Sequence, residues 1–398
     1  MGSTINIKSN HILEKSLVTG KISLATDQTA SPTALVDHRS NNFDFLRFLF
    51  ASLVLFYHCF ALLLGVGQRP AYFGESFATL AGGTSVSFFF IISGFLVTTS
   101  WTRNPVFRQY FAKRILRIYP AFILAMFFCA FVAGPLGADN ASLYWHHFKI
   151  VKALIYLFLL PADVVGPDMT LVFQHQAFTS VIDGSCWTLR CEFTMYLMVV
   201  LLGVAGLYRF RQGIGVLILF FLFFCFYAVS QASSHPLLPD RQLPWITNPN
   251  VWIGLMTFFL SGMTYCFYRD RIPVSRSLLI VSLAVLLVTA SKPQWFNIAT
   301  PLFGSYVLFF IAFDPRIKLQ RFARYGDFSY GMYLFAFPIQ QLLVRYFGTE
   351  LTPYSLFLVA FPLSLLCAIL SWHFVEKPFL QLKPKKTKTQ ASTSVAPL

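Results

Sequence analysis

Charged residues are scarce in this sequence, and acidic residues are the scarcest. Only 12% of the 398 residues are charged, with 16 Asp and Glu against 31 Lys and Arg. Since soluble domains carry about 25% charged residues, this composition excludes an ordinary soluble fold. Apolar residues instead make up 56% of the chain, and 46 residues are Phe. We therefore predict an all-α, polytopic membrane protein embedded in a lipid bilayer.

Spacings typical of metal ligands or of a disulfide framework are also missing. Five of the seven cysteines lie within apolar runs, where a thiol behaves as a small apolar group. The other two, Cys186 and Cys191, flank the start of one run. We therefore expect no metal site. Residues 1–40 are polar and hold no apolar signal-peptide segment, so we predict a disordered cytosolic tail there.

Ten apolar runs are candidates for membrane spans. They are 43–64, 79–101, 118–134, 187–207, 214–231, 250–268, 277–291, 295–313, 329–348 and 353–374. A shorter run, 150–161, is interpreted as re-entrant or interfacial. With the amino terminus inside, this arrangement places 24 of the 31 basic residues on the cytosolic side, including those of a basic tail at 381–398. The sequence thus predicts ten transmembrane helices with both termini cytoplasmic.

The net charge of +15 could indicate nucleic-acid binding. Most basic residues, however, lie in short links between apolar runs, where they hold those links in the cytosol. We therefore expect no nucleic-acid partner. The longest predicted outer segment, 135–186, is polar enough to contribute to a site, since long loops are often functional. No internal repeat stands out, which counts against an inverted-repeat transporter.

The first run carries an arginine near its start and a histidine deep inside, and ionisable groups are costly inside a membrane. Arg47 and His58 are eleven positions apart, so in a helix they share one face and lie roughly 16 Å apart along the axis. A neutral imidazole at His58 could take a proton from a hydroxyl near pH 7, or the residue could be a buried structural histidine. Arg47 could equally be a membrane-edge anchor paired with Asp44. We expect both side chains to face one interior passage.

Two further arginines lie in the stretch RQYFAKRILRIYP. Arg114 and Arg117 are three residues apart, so they are neighbours on one helix face at the predicted inner edge. Forked guanidinium groups suit phosphate, which favours an anion site. Simple anchoring on the cytosolic side explains the same pair.

A carboxylate lies inside another span, in GSCWTLRCEFTMYL. Glu192 comes about five residues after the start of the run and needs a partner if it is charged, and His58 and Arg190 are the candidates. If Glu192 contacts His58, it could orient the ring and stabilise its charged form. In SVSFFFIISGF, Ser93 and Gly94 form a notch of small residues that lets a helix or a thin ligand approach closely.

Taken in order, these stretches resemble the acyltransferase 3 family of membrane-bound acyltransferases. The first run is similar to the family's opening motif at Asp44, Arg47 and His58, and Arg114 and Arg117 match its paired arginines. Further matching stretches are FFFIISGFL at 88–96, WTLRCEFTMY at 187–196, FSYGMYLFAFP at 328–338 and FVEKPF at 374–379. The resemblance implies an acyltransferase 3 membrane domain at 41–380.

This resemblance implies transfer of an acyl group, usually acetyl, from cytosolic acyl-CoA to a hydroxyl of a surface or exported glycan or a lipid-linked saccharide. It also implies that Arg47 and His58 are essential and that Arg114 and Arg117 serve the donor. We add Glu192 to the catalytic residues His58 and Arg47. We also add Arg47 and Ser93 to the donor site, and we expect acetyl-CoA as the donor.

His58 would act either as a base on the acceptor hydroxyl or as a transient acyl carrier. The expected location is a bacterial inner membrane. A proton-coupled transporter and a flippase-like partner in glycan export are the alternative interpretations.

Overall fold

The computed structural model describes residues 41–65, 75–149, 151, 171–208, 213–233, 238 and 248–383. The predicted tail 1–40, nearly all of the run 150–161 and the basic end after residue 383 lie outside the described residues. The helices are α1 (Phe43–Leu64), α2 (Glu75–Arg103), α3 (Phe107–Gly137), α4 (Ala141–His147), α5 (Trp187–Val204), α6 (Ile214–Ala232), α7 (Pro249–Tyr268), α8 (Arg276–Thr289), α9 (Pro293–Phe313), α10 (Ser329–Phe347) and α11 (Pro353–Gln381).

A helix lies at each of the ten predicted runs, and the described part of the chain forms no β-strand. The predicted all-α class is therefore confirmed. Eight of the helices are long and apolar enough to cross a membrane. The remaining two at predicted runs are α8, with 14 residues, and α10, whose 19 residues include two glutamines. The number of ten crossings and the cytoplasmic termini stay predictions.

The helix α3 begins eleven residues before its apolar run. The basic stretch FRQYFAKRILR continues the helix because Arg, Lys, Gln and Ala have good helix propensity. Towards the other end, Cys129–Ala133 form a π-helical turn, and comparable turns occur in α9 and α11. Such turns are frequent at functional sites and let a long helix change direction without breaking.

The helix α2 is central, because it packs against both α1 and α7. At its crossing with α7, Gly94 lies against the backbone carbonyl of Phe259, and Gly262 lies against the backbone carbonyl of Ile91. The two helix backbones therefore touch with no side chain between them, which small residues permit in membrane proteins. The predicted notch of small residues thus receives a helix at Gly94.

Two buried amides fix the position of α10. Gln340 donates hydrogen bonds to Leu55 O and Cys59 Sγ of α1, both at 2.9 Å. Gln341 donates to Phe178 O at 3.0 Å and to Val181 O at 2.8 Å. Because an unpaired amide is costly in an apolar interior, these bonds tie α1 to one side of α10 and residues 171–186 to the other.

The glycine contact between α2 and α7 gives a direct test of the packing. We expect Gly94→Ala to destabilise the protein by about 3 kcal/mol or more, because its Cβ would collide with backbone rather than with a movable side chain. Gly83→Ala on the same helix is the matched control, since a Cβ there meets no atom within 4 Å. The measurement is the fraction of detergent-solubilised protein that stays monodisperse after heating to a series of temperatures. If both variants lose half of this fraction at the same temperature, the backbone contact is refuted.

Candidate active site

A cavity of about 450 Å³ lies between α1, α2, α3, α5 and α10, with the end of α11 at its border. We call it the charged cavity, because five basic and three acidic side chains line it: Asp44, Arg47, Lys113, Arg114, Arg117, Glu192, Asp327 and Lys383. Its volume lies within the range of small-molecule sites. The excess of basic groups favours an anionic ligand.

The charged cavity brings together five of the six residues that the sequence singles out. Arg47, Ser93, Arg114, Arg117 and Glu192 all line it. His58 is not part of this lining. It lies on the same face of α1 as Arg47, but eleven residues further along the helix, or roughly 16 Å by helical rise.

The guanidinium group of Arg117 is held by two carboxylates. It lies 2.5 Å from Asp327 and 3.2 Å from Glu376, whose side chain is only 2% exposed. Asp327 also pairs with Arg47 at 3.4 Å, and Arg47 pairs with Asp44 at 3.3 Å. Burial alone would raise the pKa of Asp327, but Arg117 and Arg47 outweigh it and lower that pKa below its usual value. Arg117 is therefore already neutralised by the protein.

Arg114 has a different environment. Its guanidinium group lies over the rings of Tyr110 and Tyr196, 5.5 Å from each centroid. Its Nε is buried without a hydrogen-bond partner, and Arg114 forms no ion pair within the described residues. Since burying an unpaired charge is costly, this arrangement suits an anionic ligand that supplies the missing partner.

Glu192 lies deeper in the same cavity. Its Oε1 accepts hydrogen bonds from Ser93 Oγ at 2.9 Å and from the hydroxyl of Tyr196, the residue over which Arg114 stacks. Ser93 thereby has a fixed hydroxyl whose lone pairs point away from the carboxylate. Together these groups form a polar patch next to the unpaired guanidinium group.

Glu192 and His58 form neither a hydrogen bond nor an ion pair with each other in the described structure. The sequence suggests that Glu192 lies at the depth of His58, on the assumption that α5 begins at the membrane surface. The residues just before α5 are buried inside the protein instead: Asp183 and Cys186 are fully buried, and the Ser185 carbonyl accepts a hydrogen bond from the Tyr333 hydroxyl. Because Tyr333 itself lines the charged cavity, this places Glu192 on the Arg47 side of the protein.

The His58 ring packs edge-on against Phe337, with ring centroids 5.0 Å apart. Its Nδ1 is buried and has no hydrogen-bond partner among the described residues. Phe337 follows Tyr333 by four residues on α10, so His58 lies about one helical turn, or roughly 6 Å, beyond the end of the charged cavity. Phe337 also contacts Phe178, so the predicted outer segment covers this ring.

Several site residues are absent from the sequence-based selection. Asp327 and Glu376 complete the pairing of Arg117, Tyr196 bonds Glu192, and Lys383 lies at the edge of the cavity. Two signals could have indicated the carboxylates. Acidic residues are rare in this chain, and Glu376 belongs to the FVEKPF stretch that already resembles a family motif.

The chain matches the family model described as an acyltransferase domain over residues 40–373. It belongs to the acyltransferase 3 family. An O-acetyl transferase of Shigella phage Sf6 is 31% identical over 351 residues, which cover 86% of this chain and 97% of that protein. Nodulation protein 10 of Rhizobium leguminosarum bv. viciae is 27% identical over 372 residues, with coverage of 87% and 94%. No solved structure matches this acyltransferase. The predicted family is thus confirmed.

The two neighbouring arginines should respond differently to removal. We expect Arg117→Ala to cost about 3–5 kcal/mol of stability, because it leaves the carboxylates of Asp327 and Glu376 unpaired. Arg114→Ala is the matched control and should change stability little, since its guanidinium pairs with no described carboxylate. Thermal unfolding of both variants in the same detergent measures the difference. Partial recovery of Arg117→Ala by added Asp327→Asn and Glu376→Gln would confirm the cause, whereas equal stability of the two single variants would contradict it.

Proposed function

We propose that this protein is a membrane-bound O-acyltransferase that moves an acetyl group from cytosolic acetyl-CoA to a hydroxyl of a surface or exported polysaccharide, or of its lipid-linked precursor. The observation that carries the proposal is the unpaired guanidinium of Arg114 inside a cavity with an excess of basic groups. The name of the phage relative, an O-acetyl transferase, supports the reaction type. A bacterial inner membrane is the location we propose.

The donor's phosphates are anionic and, on the predicted topology, approach from the side where the arginines lie. Arg114 would bind phosphate directly, and Arg47 and Lys383 would add to the attraction. Arg117 would act indirectly, by holding Asp327 and Glu376 so that they do not neutralise Arg114. The two arginines, which look equivalent in the sequence, are thereby assigned different roles: Arg114 binds the donor and Arg117 holds the carboxylates.

The slender pantetheine arm would extend past Ser93 and Glu192 towards the far end of the charged cavity. Its amide N–H groups need acceptors in an apolar bundle, and the lone pairs of the Ser93–Glu192–Tyr196 cluster supply them. Phe89 and Tyr333, whose rings are 6.0 Å apart, form the last part of the lining before His58. A small movement of these aromatic side chains would bring the thioester within reach of the imidazole.

In the chemical step, His58 would take the proton of the acceptor hydroxyl while the oxygen attacks the thioester carbonyl. The C–S bond then breaks, and the CoA thiolate leaves and collects the proton. Alternatively, an imidazole nitrogen attacks the thioester first, the C–S bond breaks and the CoA thiolate leaves. The hydroxyl then attacks the acetyl-imidazole, the C–N bond breaks, and the hydroxyl proton passes to the freed imidazole nitrogen. The buried Nδ1 without a partner supports either route, because no described protein group competes for it.

The reaction is tested with labelled acetyl-CoA and crude surface glycan from the cells that make the protein. We expect base-labile label on sugar, and a loss of at least about 100-fold in His58→Ala, because general acid–base catalysis contributes that much or more. His373→Ala is the matched control, since this exposed histidine lies on α11, near the ring of Phe328. Normal transfer by a well-folded His58→Ala would overturn the proposed role of the imidazole.

Donor affinity should also depend on pH through Lys383. Burial, together with Arg117, Arg114 and Lys113, lowers the pKa of Lys383 to about 8. The lysine is therefore charged below pH 8 and neutral above it, so CoA affinity should fall roughly two- to fivefold between pH 7 and pH 9. In Lys383→Arg, whose side chain keeps its charge, this decrease should be smaller. The measurement is CoA affinity by calorimetry from pH 7 to pH 9. Identical pH profiles for the unmodified protein and Lys383→Arg would exclude Lys383 from the donor site.

A further inference from the structure

A second cavity, of about 1010 Å³, lies between α1, α2, α6, α7 and α9. It borders the first half of α2, whereas the charged cavity borders the second half. We call it the uncharged cavity, because none of its described lining residues carries a charge. Its polar groups are hydroxyls and amides, including those of Thr84, Ser87, Gln231 and Asn297.

This lining discriminates between classes of ligand. A phosphate or carboxylate would lose its hydration here and gain no opposite charge, which is costly in a membrane interior. A purely apolar chain would leave the N–H groups of Gln231 and the Oδ1 of Asn297 without water or a partner. A neutral ligand rich in hydroxyl groups can form hydrogen bonds with these groups and place its apolar faces on the aromatic rings of Tyr57 and Tyr227.

One pair of amides is suited to such a ligand. Asn297 Nδ2 donates a hydrogen bond to Gln231 Oε1 at 2.9 Å, which orients both side chains. Within the described residues neither side chain makes a second hydrogen bond. The pair therefore keeps N–H donors on Gln231 and an acceptor, Oδ1, on Asn297 close together. Adjacent donors and acceptors match the neighbouring hydroxyls of a sugar ring.

The uncharged cavity reaches the same turn of α1 as His58. Tyr57 lines it, and the rings of Tyr57 and His58 lie 5.5 Å apart. The charged cavity ends about one turn from His58 on its other side, at Tyr333. The histidine is thus positioned between a site suited to an anionic donor and a site suited to a neutral polyol.

We propose that the uncharged cavity is the acceptor site and that it binds a neutral sugar unit through hydroxyl and amide contacts. This inference rests on the proposed function, because it requires a donor in the charged cavity. It assigns acceptor recognition to α2, α6, α7 and α9, which contribute Thr84, Gln231, Asn250 and Asn297.

Gly83 gives a way to fill this cavity without disturbing the fold. A Cβ at this position meets no atom within 4 Å, so the side chain of Gly83→Phe can enter the space. We expect this variant to transfer at least tenfold less acetyl group to crude surface glycan, while its affinity for CoA stays within about twofold of the unmodified protein. Gly83→Ala controls for the loss of glycine, and Ile280→Phe controls for added aromatic bulk on a 66% exposed site of α8. Both controls should transfer normally.

Ser87→Leu gives a second measurement, because it adds bulk one turn further along the same face of α2 and does not depend on the behaviour of Gly83→Phe. Normal transfer by both bulky variants would overturn the acceptor site and leave the proposed function intact. Absence of both CoA binding and glycan labelling in the unmodified protein would instead overturn the proposed function and the acceptor site with it. Loss of transfer with CoA binding retained, in either bulky variant, supports the inference.

Discussion

The paired carboxylates around Arg117 determine the shape of the charged cavity. A guanidinium from α3 joins Asp327, in the link before α10, to Glu376 near the end of α11, and Asp327 reaches Arg47 on α1. Because breaking such a buried pair leaves an uncompensated charge, the network holds four parts of the chain together. The same network leaves Arg114, one turn away, without a carboxylate. Because both carboxylates pair with Arg117 and neither pairs with Arg114, the first arginine stabilises the fold and the second stays available to an anionic ligand.

The two cavities differ in charge more than in position, and this difference separates the two substrates proposed for them. The proposed donor is a polyanion and the proposed acceptor a neutral polyol, so each would be poorly solvated in the other's site. His58 lies between the cavities with an unpaired nitrogen, and the aromatic contacts of Phe337 and Tyr57 isolate it from both. Such isolation would limit transfer of the acetyl group to water when no acceptor is present.

Apolar runs predicted the helices well, because a membrane span needs a continuous stretch of apolar residues. Ionisable residues inside or just before those runs led directly to Arg47, Arg114, Arg117 and Glu192, all of which line one cavity. The contact of Glu192 could not be predicted, since its depth depends on a buried stretch that precedes α5 and has no apolar periodicity. The uncharged cavity left no signal either, because Ser, Thr, Asn and Gln between helices are common in any membrane bundle.

The direct backbone contact at Gly94 and Gly262 has a mechanical consequence. Two helices that meet without intervening side chains cannot slide or tilt against each other without a steric collision. Since α2 borders both cavities and is fixed against α7, the distance between the two cavities is fixed as well. Rocking of one half of a bundle against the other, on which alternating-access carriers rely, would have to break this contact. A fixed frame of this kind is better suited to passing a small chemical group between stationary substrates than to carrying a whole molecule across the bilayer.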